Sequence, residues 1–238
     1  MIVFFRFLLF FMGACIASFI NVLVYRIPLQ LNYVKGRSFC PKCHHQLTCI
    51  DMIPIVGWFL LRGRCRYCHC RISIRYVVIE FIGGVFILFC YDCFGFHLMF
   101  VMFLYFMFLL AISIIDYQIM IIPNELVLAC LMIAIMSIPL FHLDFFSRVI
   151  GMCCLSIPLY LLNFLYPDSF GGGDIKLLSV NGFFLGWKVL LVSMYISSVI
   201  AGFYAFYLLI RYQSQKKYIA FGPFISIGFF IALLVNIY

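Results

Sequence analysis

The sequence predicts an all-α polytopic membrane protein, a bundle of about eight transmembrane helices with one small cytoplasmic zinc-binding loop domain. Three observations predict it. Of the 238 residues, 67% are hydrophobic and 10% charged, with a mean hydropathy of +1.18. Soluble domains are about 45–50% apolar and about 25% charged, so no soluble core hides this excess. The apolar residues fall in runs of about 20, the length that crosses a hydrocarbon layer as a helix. Nine of the 16 basic residues lie between Arg26 and Arg75, where Asp51 is the sole acid. That asymmetry marks a cytoplasmic loop beside membrane spans.

The candidate spans are 2–25, 76–95, 97–116, 121–142, 148–166, 174–187, 189–210 and 218–238. The first carries Arg6 and an apolar run, as a signal peptide would. Its Ala14 and Ala17 are three apart rather than two, so no small-x-small cleavage site follows, and 1–26 reads as a retained first helix. Residues 27–75 form the polar loop and 76–238 the membrane core. The sixth span is short and contains glycine, which suits a helix surrounded by protein or water rather than lipid. With the loop in the cytoplasm, both termini lie outside. Asp116 and Asp174 then reach the cytoplasmic ends of their spans, and the cluster 211–217 falls inside with Arg211, Lys216 and Lys217. The turns around Asp92 and Asp144 are left outside with few basic residues. The whole chain shows no repeat of fixed period. A net charge of +8 without a recognition motif reflects topology and not nucleic-acid binding.

Within the loop, Cys40-Pro41-Lys42-Cys43 and Cys65-Arg66-Tyr67-Cys68 give C-x2-C-x21-C-x2-C. Paired CxxC turns bring four thiolates onto one Zn²⁺. His44, His45, Cys49, His69 and Cys70 stand close enough in sequence to replace one of them. Disulfides are not expected on the cytoplasmic side. Four protein sulfurs leave no open coordination position, so the predicted role is structural. Cys15, Cys90, Cys93, Cys130, Cys153 and Cys154 lie in or beside spans and read as small apolar packing residues. Cys90 and Cys93 face outside in this topology, where they could pair.

Only eight residues are acidic, and a carboxylate in or at the edge of a span is costly and commonly functional. Asp116 ends the third span. Asp174 follows Gly171-Gly172-Gly173 at a helix start, where the macrodipole favours a negative charge. Taken singly, Asp174 is a helix N-cap and Asp116 a carboxylate leaving the membrane. Together they lie 58 positions apart in sequence yet at one depth and on one side. Two such carboxylates can activate a water between them, one as base and the other as acid, which is aspartic-peptidase chemistry. No serine or cysteine nucleophile with a matching histidine is visible. His97 and His142 are predicted outside.

These motifs carry a resemblance. The chain resembles bacterial prepilin peptidases, also called type IV leader peptidases, through six stretches in order. They are Gly13 to Pro28 with Ser18-Phe19-Ile20-Asn21, the loop Cys40 to Cys68 with Asp51, Pro54 and Leu61-Arg62-Gly63, and Ile72-Ser73-Ile74-Arg75-Tyr76 with Glu80. Then come Asp116 with Pro123-Asn124, Gly171-Gly172-Gly173-Asp174-Ile175-Lys176, and Phe221-Gly222-Pro223-Phe224. Ala17 and Val77 depart from that pattern, which has glycine and proline at those places. The resemblance implies that Asp116 and Asp174 are catalytic and that the substrate is a type IV prepilin or pseudopilin, cut at the cytoplasmic face just before its hydrophobic helix. It also implies N-methylation of the new terminus with S-adenosylmethionine. No dinucleotide-type βαβ unit accompanies that activity here, and the sequence assigns no chemistry to Glu80 or Lys176. The competing readings are a transporter with a carboxylate proton relay, which needs acids spread through the bilayer depth, and a zinc-stabilised membrane scaffold.

Overall fold

The computed structural model describes residues 1–33, 36–141, 143–167, 169–212 and 219–237. His142 and the cluster 211–217 from residue 213 onward lie outside the described residues. The chain is helical, as the composition requires: α1 (Ile2–Arg26), α2 (Val56–Leu60), α3 (Arg75–Ile119), α4 (Asn124–Met136), α5 (Phe145–Cys154), α6 (Ser156–Leu165), α7 (Gly172–Tyr212) and α8 (Gly222–Ile237). Four helical stretches, Ile2–Arg26, Arg75–Ile119, Phe145–Leu165 and Gly172–Arg211, are long and apolar enough to cross a membrane. Shorter apolar helices cover Asn124–Met136 and Gly222–Val235. Large apolar side chains turn outward: Phe146, Phe164 and Phe203 are 79%, 78% and 73% exposed. Water would drive such a surface to aggregate, whereas lipid solvates it.

Two of these helices are too long to be single spans. At about 1.5 Å per residue, the 45 residues of α3 would reach roughly 67 Å, about twice the hydrocarbon thickness. The helix breaks at Gly95, which takes φ 72° and ψ 176°, a backbone state that costs glycine little and other residues much. Beyond it the chain folds back. The rings of Phe86 and Phe103 lie 6.3 Å apart, although 17 intervening steps of straight helix would separate them by about 26 Å. In α7 the break falls at Gly186, φ 81° and ψ 172°. A Cβ on Gly182 would sit 2.8 Å from Leu190 Cδ2, a contact that a straight helix, with about 12 Å of rise between them, forbids.

The chain forms two compact units, residues 1–103 and 104–238. In the first, α1 precedes the cysteine loop and α2. In the second, the end of α3 is followed by α4 to α8. Its core holds Tyr105 stacked flat on Phe184, ring centroids 3.9 Å apart, with Phe229 beside both. The Tyr105 hydroxyl donates to Asn181 Oδ1 at 2.7 Å, which satisfies the hydroxyl and the amide oxygen in a dry interior, while Asn181 Nδ2 has no partner among the described residues.

Breaking α7 orphans the last carbonyls of its first half, and Arg148 of α5 meets them. Its guanidinium, wholly buried, donates through Nη1 to Phe183 O at 3.2 Å, Phe184 O at 3.1 Å and Ser137 Oγ at 3.4 Å. Helices α5 and α7 come close enough for this because they meet at glycines. A Cβ on Gly182 would lie 2.1 Å from Gly151 O. Gly182→Val should therefore lower the thermal unfolding midpoint of detergent-solubilised protein, at a cost of about 1–3 kcal/mol. Gly202→Ala, whose methyl meets nothing within 4 Å, should leave the midpoint in place.

Candidate functional site

Two sites emerge, one in each unit. In residues 104–238 the helices deliver the two aspartates from distant stretches of chain. Asp116 stands three residues before the end of α3 and is 5% exposed. Its Oδ2 accepts the Gly222 N–H at 2.8 Å, one of the free donors at the start of α8 and a natural partner for an anion. Asp174 sits in the first turn of α7. Its Oδ1 is buried with no hydrogen-bond partner among the described residues, and its carboxylate lies within electrostatic reach of Asp116. The structure thus brings together the two acids singled out by the sequence.

Glycines make room for both carboxylates. A Cβ on Gly222 would lie 2.8 Å from Asp116 Oδ2, and one on Gly171 would lie 2.9 Å from Asp174 Oδ2. Lys176 Nζ donates to Asn124 Oδ1 at 2.9 Å, tying the start of α7 to the start of α4, which Pro123 opens in an extended conformation. Sequence reading singled out the segment around Gly222 and left Lys176 without a role. Neither the Gly222 hydrogen bond nor the Lys176–Asn124 link was legible, since both join residues far apart in the chain. The one available signal was Gly-Pro at a helix start.

In residues 1–103 the loop is built from two copies of one turn. In the first, His44 N donates to Cys40 O and Cys40 N to His45 O, at 2.9 and 3.0 Å. In the second, His69 N donates to Cys65 O and Cys65 N to Cys70 O, at 3.0 and 2.9 Å. Bridges Phe39 to Gln46 and Arg64 to Arg71 flank them, and His44 and His69 both take the left-handed conformation, φ 56° and 54°. The duplication is one of hydrogen bonds, with little identity outside the cysteines and the following histidine.

The turns bring the sulfurs of Cys40, Cys43, Cys65 and Cys68 within 4.8 Å of one another. Cys40 Sγ is 3.8 Å from Cys68 Sγ, the separation of about 3.8 Å that a tetrahedral ion with metal–sulfur bonds of about 2.3 Å requires. These four residues fit a metal. Cys70 stands at the edge, 3.6 Å from Cys40. Burial opposes the Cys40 thiolate, but backbone N–H groups of Cys43 and Lys42, with the Cys70 and Cys43 thiols, bring its pKa down to about 6. Cys43, despite the His45 N–H, is pushed up to about 11 by burial and the neighbouring sulfurs, so the first negative charge of the cluster settles on Cys40. Burial likewise works against the Asp51 carboxylate. Thr48 Oγ1 at 2.7 Å, Thr48 N at 3.2 Å and the Arg66 guanidinium at 2.7 and 3.0 Å outweigh it and hold Asp51 below the usual carboxylate range. That cluster straps the segment between the turns onto the second turn. Glu80, 8% exposed, accepts Ile55 N–H at 2.7 Å and a bond from Ser18, holding Ile55 at φ 64°.

Residues 11–94 match the family model described as the bacterial peptidase A24 N-terminal domain, and residues 103–206 match that of the type IV leader peptidase family. A protein of Aeromonas hydrophila named prepilin leader peptidase/N-methyltransferase is 31% identical over 95% of this chain and 89% of its own. Proteins of the same name from Bacillus subtilis and Vibrio cholerae are each 30% identical, over 95% and 91% of this chain and 93% and 91% of theirs. No solved structure matches the chain.

The sulfur geometry predicts that the purified protein carries about one thiophilic divalent ion per chain by elemental analysis. Replacing Cys40 and Cys43 together by Ser should release it and make residues 27–75 sensitive to limited proteolysis.

Proposed function

The chain belongs to the type IV leader peptidase family, and we propose that it is an intramembrane aspartic endopeptidase that cuts the leader of type IV prepilins or pseudopilins at the cytoplasmic membrane face and then N-methylates the exposed amine. The observation that carries the cleavage reading is the meeting of Asp116 and Asp174, two acids in a chain with few, at the starts of α7 and α8. Close carboxylates do not both ionise readily. One takes a proton from the attacking water while the other lends a proton to the scissile carbonyl oxygen. Gly222 N–H fixes one Asp116 oxygen, and Asp174 Oδ1, buried without a partner among the described residues, keeps a lone pair free for the attacking water. The methyl group comes from S-adenosylmethionine when that donor is bound.

The four thiolates form a structural zinc site, closed to a fifth ligand. A loop of about 50 residues has little core of its own, and the metal sets its shape. Eight apolar segments cross the bacterial inner membrane, α3 and α7 each contributing two through the reversals at Gly95 and Gly186. The charge asymmetry of 26–75 puts the loop in the cytoplasm and both termini outside.

Asp116→Asn and Asp174→Asn should each lower cleavage of a co-expressed prepilin by about 10²-fold or more, read by mass spectrometry of the pilin, with the protein still inserted. The double variant should fall little further, since the pair acts as a unit. Glu125→Gln, exposed in the first turn of α4, should cleave normally. Cleavage near the wild-type rate by either aspartate variant would refute the dyad.

Single cysteines introduced at Ser38 and Ser214, with native loop thiols replaced or blocked, should resist membrane-impermeant maleimides in intact cells and react after permeabilisation. Reaction of both from outside would invert the topology.

A further inference from the structure

Residues 1–103 enclose a cavity of about 600 Å³, a size suited to a small-molecule ligand. One face of α1, the segment between the two cysteine turns and the start of α3 form its walls. Asn21 lines it and is 1% exposed. Its Nδ2 donates to Tyr76 O at 3.2 Å, but its Oδ1 has no partner among the described residues. A buried amide oxygen with no donor marks a place for one. Glu80 also lines the cavity, its carboxylate held by Ile55 N–H and Ser18 and facing no cation among the described residues. Tyr25, Trp58 and Tyr76 contribute aromatic surface, and Lys42 and Arg71 contribute positive charge.

A ligand that suits all of this has a flat ring, N–H donors, a cationic centre and a carboxylate. We propose that the cavity is the binding site of S-adenosylmethionine, with Glu80 as counter-charge to its cationic end, Asn21 Oδ1 as acceptor of one of its N–H groups and Lys42 or Arg71 as partner of its carboxylate. The proposal rests on the methyl-transfer part of the function above. In the transfer, the substrate ammonium first gives one proton to water. The lone pair of the resulting amine then forms the N–CH3 bond as the S–CH3 bond breaks. Sulfur keeps the bonding pair, S-adenosylhomocysteine leaves neutral, and the positive charge passes to the methylated ammonium.

The test uses the full-length protein in detergent micelles. Calorimetric titration with S-adenosylmethionine should show saturable binding, weakened about tenfold or more by Asn21→Leu and by Glu80→Gln and unaltered by Glu125→Gln. Ultraviolet cross-linking of radiolabelled donor to the unsubstituted protein should label peptides within 15–26 or 71–80, a readout independent of how the variants fold. Cross-links confined to residues 104–238, or donor affinity unchanged in both variants, would overturn the site while leaving methyl transfer intact. A wild-type protein that cleaves prepilin but neither binds the donor nor methylates the product would overturn the methyl-transfer reading and the site with it.

Discussion

Backbone carbonyls, guanidinium groups and carboxylates set among apolar side chains have no bulk water to turn to, and the irregular features of this protein answer to that shortage. Where α7 breaks, Arg148 supplies the donors that the helix has lost. Where Asp116 is buried, the free N–H of Gly222 at the start of α8 receives it. Ser113 Oγ donates to Ser226 Oγ between α3 and α8 at 2.8 Å, and Ser226 Oγ donates onward to Gly222 O at 2.9 Å. Against that background the unsatisfied atoms stand out. Among the buried atoms without partners in the described residues are Nε and Nη2 of Arg148 itself, Asp174 Oδ1 and Asn21 Oδ1, and for the last two the proposed chemistry would bring a partner from outside the chain.

The polar loop solves a different problem. It has no lipid to solvate apolar faces and too few residues for a core. Its order comes from short-range bonds used twice: one turn repeated at Cys40 and Cys65, a sulfur cluster between the copies, and Asp51 clamped by Thr48 and Arg66. Trp58 closes the middle by donating its indole N–H to Ile72 O at 3.3 Å. Stiffness in this segment matters because it forms one wall of the cavity.

Features that depend on local pattern were legible in the sequence. Apolar runs announced the helices, the CxxC spacing announced the four sulfurs, and scarcity made Asp116 and Asp174 conspicuous. Features that depend on tertiary contact were not. Gly95 and Gly186 are two of 16 glycines, and nothing nearby distinguishes a reversal from a packing contact. Arg148 reads as an ordinary polar residue of a helix until the carbonyls of Phe183 and Phe184 are placed against it. The duplicated cysteine turn escaped notice because its likeness lies in backbone bonds and two left-handed histidines, while the side chains around it differ.

The arginine at the α7 break has a consequence for biogenesis. Arg148 is synthesised 35 residues ahead of Phe183. At about 5–20 residues per second, its segment waits roughly 2–7 s for the carbonyls that its Nη1 meets. During that interval α5 carries a charge that hydrocarbon rejects. Either it stays at the membrane surface or the insertion machinery holds it, and it settles only when the first half of α7 arrives. Insertion of these segments is therefore coupled rather than sequential. A nascent chain halted between residues 154 and 183 would leave this guanidinium exposed to the quality-control proteases of the membrane.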